Sequence, residues 1–370
     1  MGLENVKANI AEVILIGTGG YGESILIHLG NNEWVIVDSC IDPQTKIPLS
    51  IEYLRKLGVH PETDVKLILC THWHDDHILG ISKVLEVCQI AKFAFSKAHD
   101  RAKFLKFISY DYEKAGVEAS NASTLEFNRC IDIMEARRSV IVSAIENKPL
   151  ITVRYSDLIN NQVIALSPSD FTMEKFDHEI SGLITEYGSP SKRIPEDSPN
   201  AKSVAVMVKI GNHRVILGAD LEVSADTREG WVNILNCSQV IDKKSSLFKI
   251  PHHGSKNAYH VEIWNKLLEK NPVAKLTPWN RGNGLPEAEM LITYCGHSDQ
   301  LFMTSPHTNR KPKQRDRQIG KFIKKMHKKL EEVKYKKGIV RCRIDITNQD
   351  ATWKINLEEN AIHVNGVDKS

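Results

Sequence analysis

No apolar run in the 370-residue sequence approaches the roughly 18 residues that a membrane-spanning helix needs. Its first residues, MGLENVKANIAEV, put Glu4 and Glu12 where a secretory signal would carry a basic segment and then a long apolar stretch. Cysteine is sparse: seven residues, odd in number, widely spaced and without a C-x-x-C pair. That suggests neither a disulfide framework nor a zinc ribbon, and fits a reducing, cytoplasmic setting. Internal repeats and low-complexity segments are absent too. Net charge is only +3, yet Arg310 to Lys337 holds 13 Lys/Arg against three Asp/Glu, so the rest of the chain is net −7.

The hydrophobic pattern is that of a layered α/β protein, read as one domain over 1–370. VILIGTGG, ESILIHLG and EWVIVD are short β-rich runs separated by Gly and Asn-Asn, a strand meander ending at Asp38. Leu49 to Val59 has helical spacing, VKLILC reads as a buried strand, and Ile78 to Cys88 as a helix. Residues 98–147 read as a helical insertion or cap with a long run from Leu125 to Ile145. ITVRY and VIALS then resume as strands, followed by a helix from Phe171 to Tyr187. SVAVMVKI and HRVILG form a hairpin about Gly211-Asn212. FKIP, AKLTP and LFMT are further strands, with helices near Val261 to Leu268 and near Glu287. Residues 305–370 read as a C-terminal extension: a basic helix, Arg315 to Val333, and closing strands in IVRCRIDI, WKINL and AIHVN.

Gly17-Thr18-Gly19-Gly20-Tyr21-Gly22 matches G-x-G-x-x-G, with Asp38 sixteen residues beyond it. A dinucleotide site would need a helix next, whereas ESILIHLG alternates with the period of a strand, so the glycines are read as a tight turn.

The strongest chemical signal is Thr71-His72-Trp73-His74-Asp75-Asp76-His77, between a strand and a helix. His72 and His74 can share one metal on an extended loop, while Asp76 and His77 turn onto the helix and reach a second. Two later segments supply candidate ligands. Gly218-Ala219-Asp220 closes the strand HRVIL, where Asp220 could bridge two cations. Pro251-His252-His253-Gly254-Ser255 follows the strand LFKI, where adjacent histidines suit a metal or phosphate site. Imidazole and carboxylate donors favour zinc, with manganese or iron as alternatives.

In this order, Asp38, HWHDDH, GAD and HHGS resemble the metallo-β-lactamase superfamily over roughly Val13 to Thr304. GESILIHLGNNEWVIVDSC, NAKSVAVMVKIGNHRVILGAD and FKIPHHGSKNAY are most similar to the hydrolase branch typified by the DNA-uptake protein ComEC and the phosphorylcholine esterases. The resemblance implies a four-layer αβ/βα sandwich with one or two divalent metals at one edge. It implies that His72 and His74 hold the first metal, that Asp76, His77 and one of His252 and His253, His253 by preference, hold the second, that Asp220 bridges them, and that Asp38 orients a ligand or loop from behind. Where the superfamily usually supplies a third histidine to the first metal, VIALSPSD presents Ser167, with His99 and His178 nearest in sequence.

These features specify a metal-dependent hydrolase using a metal-bound hydroxide. A phosphodiester is the favoured substrate: Ser255 and Lys256 could hold phosphate oxygens, Asp76 and His252 are the candidate catalytic residues, with His252 a proton donor to a leaving alkoxide, and the basic segment could attract nucleic acid. Only Tyr335 follows Phe322 as an aromatic in that segment, so a base-stacking platform is not evident there. An acyl or lactone hydrolase and a non-catalytic metal-binding module are the alternatives.

Overall fold

The computed structural model describes residues 6–96, 122–186, 199–281, 284–307 and 335–364. Among these the strands are β1 (Ile10–Gly17), β2 (Glu23–His28), β3 (Trp34–Val37), β4 (Val65–Cys70), β5 (Lys92–Phe95), β6 (Ile141–Ser143), β7 (Lys148–Arg154) and β8 (Asn160–Ala165). They continue with β9 (Val206–Ile210), β10 (His213–Leu217), β11 (Ser245–Lys249), β12 (Leu268–Leu276), β13 (Leu301–Met303), β14 (Gly338–Asp345), β15 (Lys354–Glu359) and β16 (Ile362–His363). The first sheet runs β15-β14-β1-β2-β3-β4-β5-β6 and the second β16-β13-β12-β11-β10-β9-β8-β7.

Alternation along the strands explains the layering. One face of the first sheet, including Val13, Leu15, Ile25, Ile27, Val35 and Leu67, packs on Val163, Val206, Val208, Val215 and Leu247 of the second. The opposite face, with Ile14, Ile16, Leu26, Ile36 and Ile68, is covered by the helices Leu49–Lys56, Ile81–Val87 and Ala122–Ala136. On the far side of the second sheet, Met207, Ile216, Phe248 and Leu276 meet the helices Gly230–Cys237 and Ala288–His297. The result is the expected αβ/βα sandwich.

Both sheets change from antiparallel to parallel pairing at corresponding places. β3 pairs antiparallel with β2 but parallel with β4, and β10 pairs antiparallel with β9 but parallel with β11. Strand carboxyl ends at such a switch open a crevice that no helix fills. Asp38, the HWHDDH loop, Asp220 and the His252-His253 pair all leave the sheets there.

Several boundaries depart from the sequence expectation. The helix expected over Leu125 to Ile145 ends at Ala136, because Arg138 takes a left-handed φ of 51° and Ser139 N–H closes on Met134 O at 3.0 Å. Ile141–Ser143 is instead the edge strand of the first sheet, parallel to β5. Phe127, Cys130, Ile131 and Met134 belong to the core, so residues 122–143 are framework rather than a detachable cap; 97–121 lie outside the described residues. The helix expected over Ile78 to Cys88 is broken at Gly80, whose φ is 96°. The turn after Val261 is a short π-helix, Ile263–Leu267, that runs straight into β12. The closing strands are no appendage: β14 pairs with β1 along eight residues, and β16 completes the second sheet. Most of the basic run, 308–334, lies outside the described residues. β1 and β2 form an antiparallel pair across the glycine-rich turn, closed by Thr18 Oγ1 donating to Gly22 O at 2.8 Å, so no phosphate-binding helix follows it.

One core residue makes stability depend on pH. His28 is fully buried, donates from Nδ1 to Ile10 O at 2.7 Å and stacks on Trp34 at 4.7 Å, while its Nε2 has no hydrogen-bond partner. Burial lowers its pKa to about 4. Between about pH 6.5 and 4 the unfolded chain therefore binds a proton that the native state refuses, and unfolding free energy falls as pH falls, by up to about 1.4 kcal/mol per pH unit from this group. In EDTA, urea unfolding at pH 6.5 and 4.5 should show a smaller acid loss for His28→Gln than for the wild type. Identical losses would show that His28 does not govern this window.

Candidate metal centre

HWHDDH begins where β4 ends. Thr71 is anchored twice to Asp38 at the tip of β3: its N–H donates to Oδ1 and its hydroxyl to Oδ2, each at 2.7 Å. Asp38 Oδ2 also accepts from His77 Nδ1 at 2.8 Å. One buried carboxylate thus fixes both the entry and the exit of the loop. With Nδ1 engaged, Nε2 of His77 faces Asp76 Oδ2 at 3.5 Å and Asp220 Oδ1 at 3.4 Å. Burial raises the pKa of Asp38, outweighing the His77 and Thr71 contacts.

His253 is oriented in the same way from the other sheet. Its Nδ1 donates to Thr277 O at 3.0 Å, which turns Nε2 toward Asp76 Oδ2 at 3.1 Å and Asp220 Oδ2 at 3.8 Å. Asp76, His77, Asp220 and His253 each offer a donor atom within 4.8 Å of the others. His72 and His74 adjoin this group, with His72 Nε2 3.1 Å from His74 Nδ1 and 3.9 Å from Asp220 Oδ2. The fold therefore brings together His72, His74, Asp76, His77, Asp220 and His253.

The charge pattern is that of a cation site. Burial opposes charge on His77 and His253, but Asp220 and Asp76 outweigh it and hold both pKa values above the usual histidine range. Burial would likewise raise Asp76 and Asp220, yet the neighbouring histidines hold both below the usual carboxylate range. His72, by contrast, is held well below the histidine range by burial and by His77, so its nitrogen keeps a lone pair. His77 Nε2 and Asp220 Oδ1 are buried without a hydrogen-bond partner, a costly arrangement in a protein interior. Imidazole and carboxylate donors converging on unsatisfied atoms fit a divalent cation, whose charge would balance the two carboxylates.

Other candidates sit apart. Ser167 is consumed by the sheet, donating to Ser203 O at 2.6 Å and accepting from Ala205 N–H at 2.8 Å. His178 is exposed on the helix Asp170–Glu186, and His99 lies outside the described residues. His252 flanks the cluster: its Nδ1 lies 3.1 Å from Asn257 Oδ1 and 3.2 Å from Glu222 Oε1, and its Nε2 is 3.4 Å from Asn200 Nδ2. Ser255 leads into the turn Lys256–Ala258 and Lys256 is exposed; no hydrogen bond or ion pair among the described residues joins either to Asp76, His77, Asp220 or His253.

Two ionisable residues behind Asp220 escaped the sequence reading. Lys249, at the end of β11, is fully buried; its Nζ pairs with Glu23 at the start of β2, donates to Ala219 O at 3.1 Å and lies 3.9 Å from Asp220 Oδ1. Burial opposes its charge, but Glu23 and Asp220 prevail and raise its pKa. A lone lysine inside the apolar run SSLFKIP was the available signal.

A family model described as the metallo-β-lactamase superfamily matches residues 17–263. Similar solved structures include the metallo-β-lactamase fold protein YhfI from Bacillus subtilis, 13% identical over 65% of this chain and 70% of that one, with a TM-score of 0.32. A Cronobacter sakazakii metallo-β-lactamase with an HARLDQ motif is 12% identical over 67% of this chain and 76% of its own, with a TM-score of 0.35. No curated protein sequence matches. Because the family model spans well over half of the sequence, the chain belongs to the metallo-β-lactamase superfamily.

Proposed function

We propose that the protein is a metal-dependent hydrolase of phosphodiesters, within the ComEC-type and phosphorylcholine esterase branch. The observation that carries the hydrolase part is the convergence of half-buried Asp76 with buried His77, Asp220 and His253, with two unsatisfied atoms facing one another. Asp76, His77, Asp220 and His253 would hold one divalent ion, zinc before manganese or iron, and His72 and His74 with Asp220 a second. Such ions supply Lewis acidity that activates water at neutral pH and polarises a phosphoryl oxygen.

The chain's own residues supply the rest. Asp38 and Thr277 O orient His77 and His253, so that both rings present Nε2 to the carboxylates. His252, steadied by Asn257 and Glu222, would be the proton donor to a departing alkoxide. Ser255 and Lys256 follow it and would meet phosphate oxygens.

Protein reconstituted with zinc or manganese should hydrolyse bis(p-nitrophenyl) phosphate in preference to a chromogenic cephalosporin or a lactone. Asp76→Asn should lower kcat at least about 100-fold, because it removes a charge from the metal-binding set. Turnover of the cephalosporin or lactone alone would assign the protein to the acyl-hydrolase class. Metal uptake with no turnover of any of the three would favour a binding module.

A further inference from the structure

Beside His253 lies a cluster that the metal chemistry does not use. The Trp279 ring is 5.3 Å from the His253 ring, centroid to centroid, and the Arg281 guanidinium lies 5.2 Å from the centroids of both Trp279 and Tyr21. Tyr21 comes from the glycine-rich turn after β1, and Trp279 and Arg281 from the loop after β12, so the cluster joins the rims of the two sheets.

This shelf is built tightly. Trp279 and Leu285 exchange backbone hydrogen bonds of 2.9 and 2.8 Å, and Asn280 N–H donates to Gly19 O at 3.2 Å. Gly20, with φ +100°, lets the two loops meet: a Cβ there would stand 3.1 Å from Asn280 N. Arg281 is exposed, and no carboxylate among the described residues pairs with it. A guanidinium laid on aromatic rings is pre-ordered, weakly hydrated and keeps its edge N–H groups for two-pronged bonding to an anion. Phosphate and carboxylate both accept such a pair of bonds, and the phosphodiester reading above selects phosphate.

We propose that Arg281, held on Tyr21 and Trp279, docks a second phosphate of the substrate, one aromatic ring away from the scissile group at the metal cluster. The inference rests on the phosphodiester reading above and narrows it to substrates with a phosphate next to the one cleaved, as in a nucleotide chain. It also gives the G-x-G-x-x-G turn a role: its glycines let Tyr21 and Arg281 meet.

The test uses a thymidine dinucleotide joined by a neutral methylphosphonate, with and without a 5′-phosphate, so that the only anion is the flanking one. Calorimetric titration of the full chain, zinc-reconstituted and metal-free, should show the phosphorylated probe binding about tenfold tighter. Arg281→Gln should erase that preference and Arg281→Lys keep part of it. Equal binding of the two probes by the wild type would overturn the proposal. So would a preference that survives Arg281→Gln, because the phosphate would then be held elsewhere. A preference lost in Arg281→Gln, in a protein that cleaves no phosphodiester, would uphold Arg281 as the phosphate site while sinking the proposed reaction.

Discussion

Lys249→Met should destabilise the metal-free protein by about 3–5 kcal/mol, one of the largest single-residue losses available in this fold. The reason is the charge left behind. Lys249, Glu23 and Asp220 are 0%, 2% and 2% exposed, and the lysine ammonium is the cation between the two carboxylates. Removing it leaves both anions buried, and Glu23 Oε2 already lacks a hydrogen-bond partner. Adding Glu23→Gln to Lys249→Met should then recover at least about 2 kcal/mol, because neutralising a carboxylate that has lost its counterion removes a penalty rather than a contact. Urea unfolding of the wild type, both single variants and the double variant closes this cycle. Additive losses would mean that Glu23 and Lys249 do not act as a pair.

The same pair shows where sequence reading stops. Glu23 and Lys249 are 226 positions apart and sit in different sheets, so nothing local to ESILIH or SSLFKIP announces that they meet. The ligand candidates were legible for the opposite reason. His72, His74, Asp76 and His77 fall within six consecutive residues. Asp220 and His253 follow short β-rich runs whose ends can be read from Gly218 and Pro251, and strand ends in layered α/β folds are where sites form. The strands were legible as short, nearly continuous apolar runs because both faces of each sheet are covered. The end of the helix at Ala136 was not: the left-handed turn there falls on Arg138, a residue with no special preference for it, and Ile141-Val142-Ser143 continues an apolar spacing that suits helix or strand equally. Trp279 and Arg281 were hidden similarly. Their role comes from Tyr21, delivered by the other sheet, and from a glycine that permits the approach.

Asp220 is the residue on which metal binding should depend most. Its carboxylate lies within 3.9 Å of His72 Nε2, His77 Nε2, His253 Nε2 and Lys249 Nζ, so it touches both halves of the candidate site. Zinc bound only by the native state stabilises it by RT ln(1 + [Zn]/Kd), about 2.7 kcal/mol at a hundredfold excess over Kd. The wild type should show that gain as a higher unfolding midpoint in zinc than in EDTA, together with one to two zinc ions per chain by elemental analysis. Asp220→Asn keeps the shape of the side chain but removes the charge that balances a cation, and should lose nearly all of both signals. The apo baseline will itself move, because His77, His253 and Lys249 lose a counterion, so the quantity to compare is the zinc-minus-EDTA difference within each protein. His178→Ala, which changes an exposed position outside the cluster, should keep the full difference. An Asp220→Asn protein that retains both its zinc and its stabilisation would place the metal elsewhere and remove Asp220 from the centre of the site.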